Sequence, residues 1–290
     1  MNEAYVFAAH DSYVLDLLFT PDSRTLVSAG MENVVKLWSA PDWRAVRTLE
    51  GHAKSVNSMA LAPGGGMLAT GSSDQTVKLW SFPAGEVLHT LQDRKKTVAA
   101  VAISADGGRV AAASYGGRAM VWTLDGRDLV GIKASGKNLS SVAFSPDGKI
   151  LATAGLGDDI ALWSLPTGEP AGTLSGHKTA VGSLRFIHDG RTLVSLGYEG
   201  AIKLWDAASW EVVRSLQGDQ PGVRGLAFSP SEETVAVSLE SRVQHWSVDD
   251  GALQAEFPVS TKVVNGMAFS PNGRWFAAGA ADGKIRVWEV

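Results

Sequence analysis

Seven tryptophans, Trp38, Trp80, Trp122, Trp163, Trp205, Trp246 and Trp288, recur at intervals of 41 or 42 residues along almost the whole chain. A period of that length marks repeated supersecondary units, none of which can bury its apolar faces alone. Each of these tryptophans closes a similar segment, such as GSSDQTVKLW, SLGYEGAIKLW or AADGKIRVW, and about 18 residues upstream of each lies a turn: TPDSR, APGGG, SADGG, SPDGK, IHDGR, SPSEE and SPNGR. In the clearest of these, Pro presets φ at the first central position and Asp-Gly or Asn-Gly supplies the left-handed one. Runs such as VAAVAIS and RVAAASY lie between the turns. They have the length and β-branched content of buried strands. Each repeat therefore predicts about four short strands, and seven such sheets packed radially would cover one another's faces. A helical solenoid has similar periods, but the turn chemistry and close strand spacing argue against it. The predicted fold is all-β, a seven-bladed β-propeller with four antiparallel strands per blade, occupying residues 1–290 as one domain.

Blade 7 requires a different source for its fourth strand. Eleven residues after a blade's tryptophan stands a large apolar residue, Leu49, Leu91, Leu174, Leu216 or Phe257, whereas the chain runs only two residues past Trp288. Phe7 precedes His10 by three, as Leu49 precedes His52 and Leu174 precedes His177. Residues 3–9 are thus expected to pair with the last strand and close the ring, which removes an exposed sheet edge.

The spacing and turns resemble the WD-repeat family over essentially the whole chain, although Trp-Asp itself occurs only at Trp205–Asp206. The regular SPDGK-like turns are similar in style to those of bacterial WD-repeat proteins. The resemblance implies the same terminal closure. It also implies a buried hydrogen-bonded set in each blade: a His after Gly, a Ser or Thr on the second strand, an acid in the next turn, and the Trp. Blade 2 has all four as His52, Thr70, Asp74 and Trp80. Blades 1 and 5 carry His10, Ser28, Glu32, Trp38 and His177, Ser195, Glu199, Trp205, with Glu for Asp. Blades 3, 4, 6 and 7 lack the His, and Gly116 and Gly157 replace the acid in blades 3 and 4. A hydroxyl, imidazole and carboxylate in series would also activate a nucleophile. The indole is a donor that catalysis does not need, and the family's version is structural.

Enzymatic use of the central channel would require ligands or carboxylates on the inner strands, expected near 13–19, 56–62, 98–103, 139–145, 181–187, 223–229 and 263–269. Those segments contain one acid, Asp16, and no His. That is too few oxygens or imidazoles for a cation site. AGLGDD and SADGG lack the strand–loop–Lys context of a phosphate cradle and read as turns. No catalytic residue, metal or cofactor is predicted.

Loops on a rigid scaffold are natural binding elements. The resemblance implies docking on the face formed by the outer-to-inner loops and the acid-bearing turns. There Tyr13, Leu15, Met31, Tyr115, Leu156, Tyr198, Arg224 and Leu239 are larger than solvated loops require. They would anchor a partner around the channel mouth, unless they pack against neighbouring loops. Lys54, Arg94, Lys95, Lys96, Arg118 and Lys137 fall on the same side of blades 2 to 4. They are either a solvated basic run or a patch for an acidic or phosphorylated peptide. Trp43, Trp210 and Trp275 lie off the ladder on the opposite face, as plugs or as a second surface.

The formal net charge of −4 gives no global basic field for nucleic acid, and the chain has no cysteine. The start lacks the basic and apolar regions of a signal peptide, and no apolar run reaches membrane-spanning length. A monomeric, cytoplasmic, non-catalytic scaffold for a protein or peptide is the expectation. The alternatives are a sensor propeller of a larger signalling assembly and a ligand-binding or enzymatic propeller using the channel.

Overall fold

A computed structural model describes residues 3–92, 96–217 and 223–290. Among the described residues the strands form seven four-stranded antiparallel sheets, the blades of a seven-bladed β-propeller. In six sheets the strands follow chain order, from inner to outer. These are blade 1 (14–49), blade 2 (56–92), blade 3 (98–133), blade 4 (139–174), blade 5 (181–217) and blade 6 (223–258). The inner strands are Val14–Phe19, Val56–Leu61, Val98–Ile103, Leu139–Phe144, Val181–Ile187, Val223–Phe228 and Val264–Phe269, close to the expected limits. The only helical piece among the described residues is the single turn His188–Gly190 in the IHDGR loop.

The described chain divides into two compact units, residues 1–59 with 223–290 and residues 60–222. In the first unit, blade 7 takes its outer strand from the N-terminal segment. Glu3–Ala8 pairs antiparallel with Lys284–Glu289, placing Phe7 opposite Ile285 and Tyr5 opposite Val287. Phe7 then packs on Trp38, 4.9 Å between ring centres, as part of a core shared by blades 7 and 1 with Val14, Leu17, Trp275 and Val287. The predicted terminal closure is present.

In the second unit, Val98–Ile103 lies beside strands of blades 2 and 4, and Leu139–Phe144 lies beside Val181–Ile187. Each pair of neighbouring blades there shares an apolar cluster, and the ladder tryptophan belongs to the later blade of the pair. Trp122 packs with Leu79 and Val98, Trp163 with Ala111 and Val121, and Trp205 with Leu162 and Ile160. This explains the period. In these blades one large aromatic fills the wedge against the preceding blade, and burying each contributes a few kcal/mol.

A bulge recurs after the first residue of the inner strands, for example between Leu139 and Ser141 and between Val181 and Ser183. The bulge residue is thereby aimed sideways rather than along the pleat. Its side chain can reach the next blade: Ser140 Oγ donates to the Val181 carbonyl at 2.8 Å, and Asn265 Nδ2 to the Val14 carbonyl at 3.1 Å.

Candidate functional site

One edge of each blade is built from the loop entering the inner strand and the hairpin between the second and third strands. Backbone bonds tie these two pieces together. Met31 N–H donates to Tyr13 O, Tyr115 to Thr97, Leu156 to Asn138, and Tyr198 to Ala180, all within 3.0 Å. The hairpin residue is therefore held rigidly with its side chain outward. In the second unit this leaves Tyr115 at 45 %, Leu156 at 52 % and Tyr198 at 40 % exposure, one each on blades 3, 4 and 5. Gly182 makes room for the Tyr198 ring, since a Cβ there would come within 2.6 Å of it. In the first unit Tyr13 and Met31 are exposed on blade 1, Leu15 is half-buried on the inner strand, and Arg224 is exposed on blade 6.

Leu239 does not belong with them. It is 4 % exposed and pairs with Val223, the position that Gly30 occupies opposite Val14 in blade 1. The blade 6 hairpin is one residue shorter, so counting back from Trp246 gives the wrong register. Glu240, exposed and at φ 45°, is the residue that takes the edge position.

Of the basic residues, Lys54 is exposed in the first unit, and Lys96 and Lys137 are exposed in the second. The aliphatic stem of Lys96 lies along Gly116, next to Tyr115. Arg118 is not a loop residue. It begins the strand Arg118–Thr123, is half-buried, and its guanidinium lies beside Gly131 and the Met120 sulfur. Arg94 and Lys95 lie outside the described residues.

The buried sets are resolved atom by atom in blades 1 and 5. Trp38 Nε1–H donates to Ser28 Oγ at 2.9 Å, His10 Nε2 meets the same hydroxyl at 2.7 Å, and His10 Nδ1 meets Glu32 at 2.5 Å. Blade 5 repeats this with Trp205 to Ser195 at 2.8 Å, Ser195 to His177 at 2.7 Å and His177 to Glu199 at 2.7 Å. The chemistry assigns a single direction: Nδ1–H donates to the carboxylate and Nε2 accepts the serine O–H. Burial holds both imidazoles below their ordinary pKa, against the pull of the partner glutamates. They therefore stay neutral at physiological pH, as that circuit requires. In blade 2, Trp80 donates to Thr70 at 2.8 Å, and Asp74 caps its own turn through Thr76; His52 is buried. Ser28, Ser195 and Thr70 are completely buried. A hydroxyl so enclosed, already accepting an indole N–H, is a structural group and not a nucleophile.

The single inner-strand acid is likewise occupied by backbone. Asp16 accepts the amides of Leu17 and Met59 at 2.8 and 2.7 Å, and burial pushes its carboxyl up to about 7 against those two bonds. Ser141 does the same for Leu184 in blade 4. Among the described residues no three His, Asp or Glu side chains cluster as metal ligands would.

Trp43 and Trp275 are plugs. Both are buried, 5.5 Å apart edge to face, with Phe7 stacked on Trp43. Trp210 is half-buried against Phe186 and lines a separate groove with Pro146 and Arg191.

Six segments of the chain, 1–39, 43–81, 85–123, 129–164, 168–206 and 251–289, match the WD domain, G-beta repeat. The chain belongs to the WD40 family. The longest segment of this WD40 protein left unmatched, 207–250, covers most of blade 6, where the hairpin is shortened and His245 replaces the leucine or valine of the other blades. Among curated proteins, the coatomer subunit beta' of Drosophila melanogaster is 43% identical over 53 residues, and coatomer subunit beta'-2 of Oryza sativa is 40% identical over 53. These matches cover 18% of this WD40 chain and 6% of each relative's length. Among the described residues no helix is long and apolar enough to cross a membrane.

Sequence reasoning missed three features. Ile132, ten residues after Trp122, fills the outer-strand core position of blade 3. In blade 7, Ser260 stands at the His position and donates to Asp282, which pairs with Arg286 at 2.7 Å. His245 is packed between Phe257, Phe269 and Phe276. Its place one residue before Trp246 was the available signal.

Proposed function

We propose that this WD40 chain is a non-catalytic protein-interaction scaffold, folding as one domain, that docks a peptide or partner domain on the edge carrying Tyr115, Leu156 and Tyr198. The observation that carries the reading is the exposure of these three large side chains on successive blades of the second unit, each fixed by a backbone bond of its hairpin. Rigid, solvent-facing tyrosines lose little entropy on binding and are enriched among interface hot spots. Exposed Lys96 and Lys137 on the same edge would favour an acidic segment beside the aromatic anchors. The absence of cysteine suits a reducing compartment, and we place the protein in the cytoplasm as a monomer. The curated relatives are named as subunits, which fits a role inside a larger assembly.

The test is affinity capture with the native chain beside Tyr115→Ala/Tyr198→Ala. Partners held by this edge should be lost from the double variant while its melting temperature stays within a few degrees, since exposed residues are being truncated. Trp43 is unsuitable as the opposite-face control because it is buried; Trp210→Ala serves instead. Retention of every captured protein by the tyrosine variant, with loss from the Trp210 variant, would overturn the assignment of the edge.

A further inference from the structure

Blade 4 contains the hydrogen-bonded set with its centre removed. Its indole and hydroxyl remain, with Trp163 Nε1–H donating to Thr153 Oγ1 at 2.9 Å. Register places the missing parts without ambiguity. Ser135 N–H bonds to the turn carbonyl of the preceding blade, Gly117 O, as His10 N–H bonds to Gly283 O. Thr153 pairs with Ala161 as Ser28 pairs with Lys36, and Ala161 pairs with Thr173 as Lys36 pairs with Thr48. Ser135 therefore stands for the histidine, Gly157 for the glutamate and Ala161 for the lysine.

Three large side chains have been replaced by three small ones, and the space has not collapsed. It is a cavity of about 290 Å³ lined by Ser135, Lys137, Thr153, Gly157, Asp158 and Asp159, among others. That volume is near the lower end for small-molecule sites. The hydroxyl at its floor is buried. With no imidazole to receive its proton, Thr153 is left with only a long contact of 3.4 Å to the Ala161 carbonyl. A Cβ on Gly157 would find nothing nearer than 4.0 Å, so the emptiness is not imposed by backbone crowding.

We propose that this cavity is a binding site for an imidazole group, supplied in trans by a histidine side chain of a bound peptide. The sister blades supply the recognition geometry: a ring nitrogen accepts the Thr153 hydroxyl while the opposite ring N–H faces the aspartates of the rim. Two aspartates against one lysine disfavour phosphate or carboxylate ligands. A buried hydroxyl awaiting an acceptor disfavours a purely apolar side chain, because it would leave that hydroxyl poorly paired. Leu156, exposed on the same hairpin, places the cavity next to the docking edge. The peptide source rests on the docking reading, whereas the site itself can be tested with a free heterocycle.

The experiment titrates the full chain at pH 7.5 with imidazole, Gly-His-Gly, Gly-Phe-Gly and Gly-Lys-Gly, following amide and indole NMR shifts. Imidazole has only five non-hydrogen atoms, so saturable binding on the order of 1 mM is expected. Its shifts should centre on Trp163 and the 153–161 hairpin, with Gly-His-Gly at least as tight and the other two peptides at least about tenfold weaker. Ser135→His/Gly157→Glu, which rebuilds the resident set, should abolish binding of imidazole. Thr153→Val should weaken it about tenfold and Thr153→Ser should preserve it, which covers the case in which the double variant folds poorly. Absence of saturable binding, or equal binding to the Thr153→Val variant, overturns the site. Tighter Gly-Lys-Gly overturns the choice of imidazole. Imidazole binding without Gly-His-Gly binding overturns the peptide source. Retention of partner capture by the tyrosine variant with imidazole binding intact marks failure of the docking edge alone, and loss of capture without imidazole binding marks failure of this site alone.

Discussion

Replacing Asp16 by serine should flatten part of the dependence of stability on pH. The carboxyl sits at a bulge with both oxygens committed to amides of Leu17 and Met59, and burial lifts its pKa from 3.8 to about 7. The folded state thus holds a proton that the unfolded chain has released, so ionisation costs stability. That cost is absent below about pH 4, grows as pH rises, and is complete above about pH 7. One proton corresponds to a slope of about −1.4 kcal/mol per pH unit, and roughly three units give about 4 kcal/mol. This is an upper figure, because the residue keeps some contact with solvent. Serine at the matching position of blade 4, Ser141, still accepts the Leu184 amide at 2.9 Å. Asp16→Ser should therefore keep the Met59 bond while removing the charge. Urea unfolding of both proteins from pH 4 to 8 provides the assay, and the difference curve isolates Asp16 from the buried histidines. The variant should gain on the native chain by 2 to 4 kcal/mol (roughly) as pH rises from 4 to 7. Parallel curves, or a variant that loses ground at pH 8, would refute the reasoning.

Deleting residues 1–9 strips the outer strand from Lys284–Glu289 and uncovers Trp38 and Trp43. Calorimetry should show a melting temperature lower by ten degrees or more (roughly), the loss of several kcal/mol of apolar burial. His177→Ala leaves the Ser195 hydroxyl without its imidazole acceptor and should cost about 1–3 kcal/mol in denaturant melts, with partner capture unchanged. His245 is held down to about 4 by burial. The unfolded chain takes up its proton first, so native stability rises with pH from about 4 to 6.5. His245→Leu, the residue of blades 1, 2, 4 and 5 at that place, should remove up to about 3 kcal/mol of that acid sensitivity, read from melts at pH 4.5 and 7.

The fold was legible because it rests on periodic quantities. A tryptophan recurs every 41 or 42 residues, Trp38, Trp122, Trp163, Trp205 and Trp288 fill the same wedge against the preceding blade, and Phe7 repeats the spacing of Leu49 and Leu174. The buried sets were legible for the same reason, down to the Glu-for-Asp exchanges at Glu32 and Glu199. Readings that needed a register across a turn fared less well. Distance to Trp246 puts Leu239 at the edge, but a hairpin shortened by one residue moves it into the core and puts Glu240 there instead. The sequence next to the Tyr115–Gly117 turn makes Arg118 a loop cation, but the turn ends early enough for it to start a strand. The blade 4 cavity was written in the sequence only as absences at Ser135, Gly157 and Ala161. Whether such absences collapse or stay open depends on packing in three dimensions, which spacing does not reveal.

Hydrogen exchange measured by mass spectrometry, resolved for the peptides covering residues 3–8 and 284–289, tests the architecture most directly. If the N-terminal strand completes blade 7, amides of both peptides should be protected together and lose protection together as denaturant is added. Exchange of residues 3–8 at free-chain rates, beside a protected 284–289, would contradict the account.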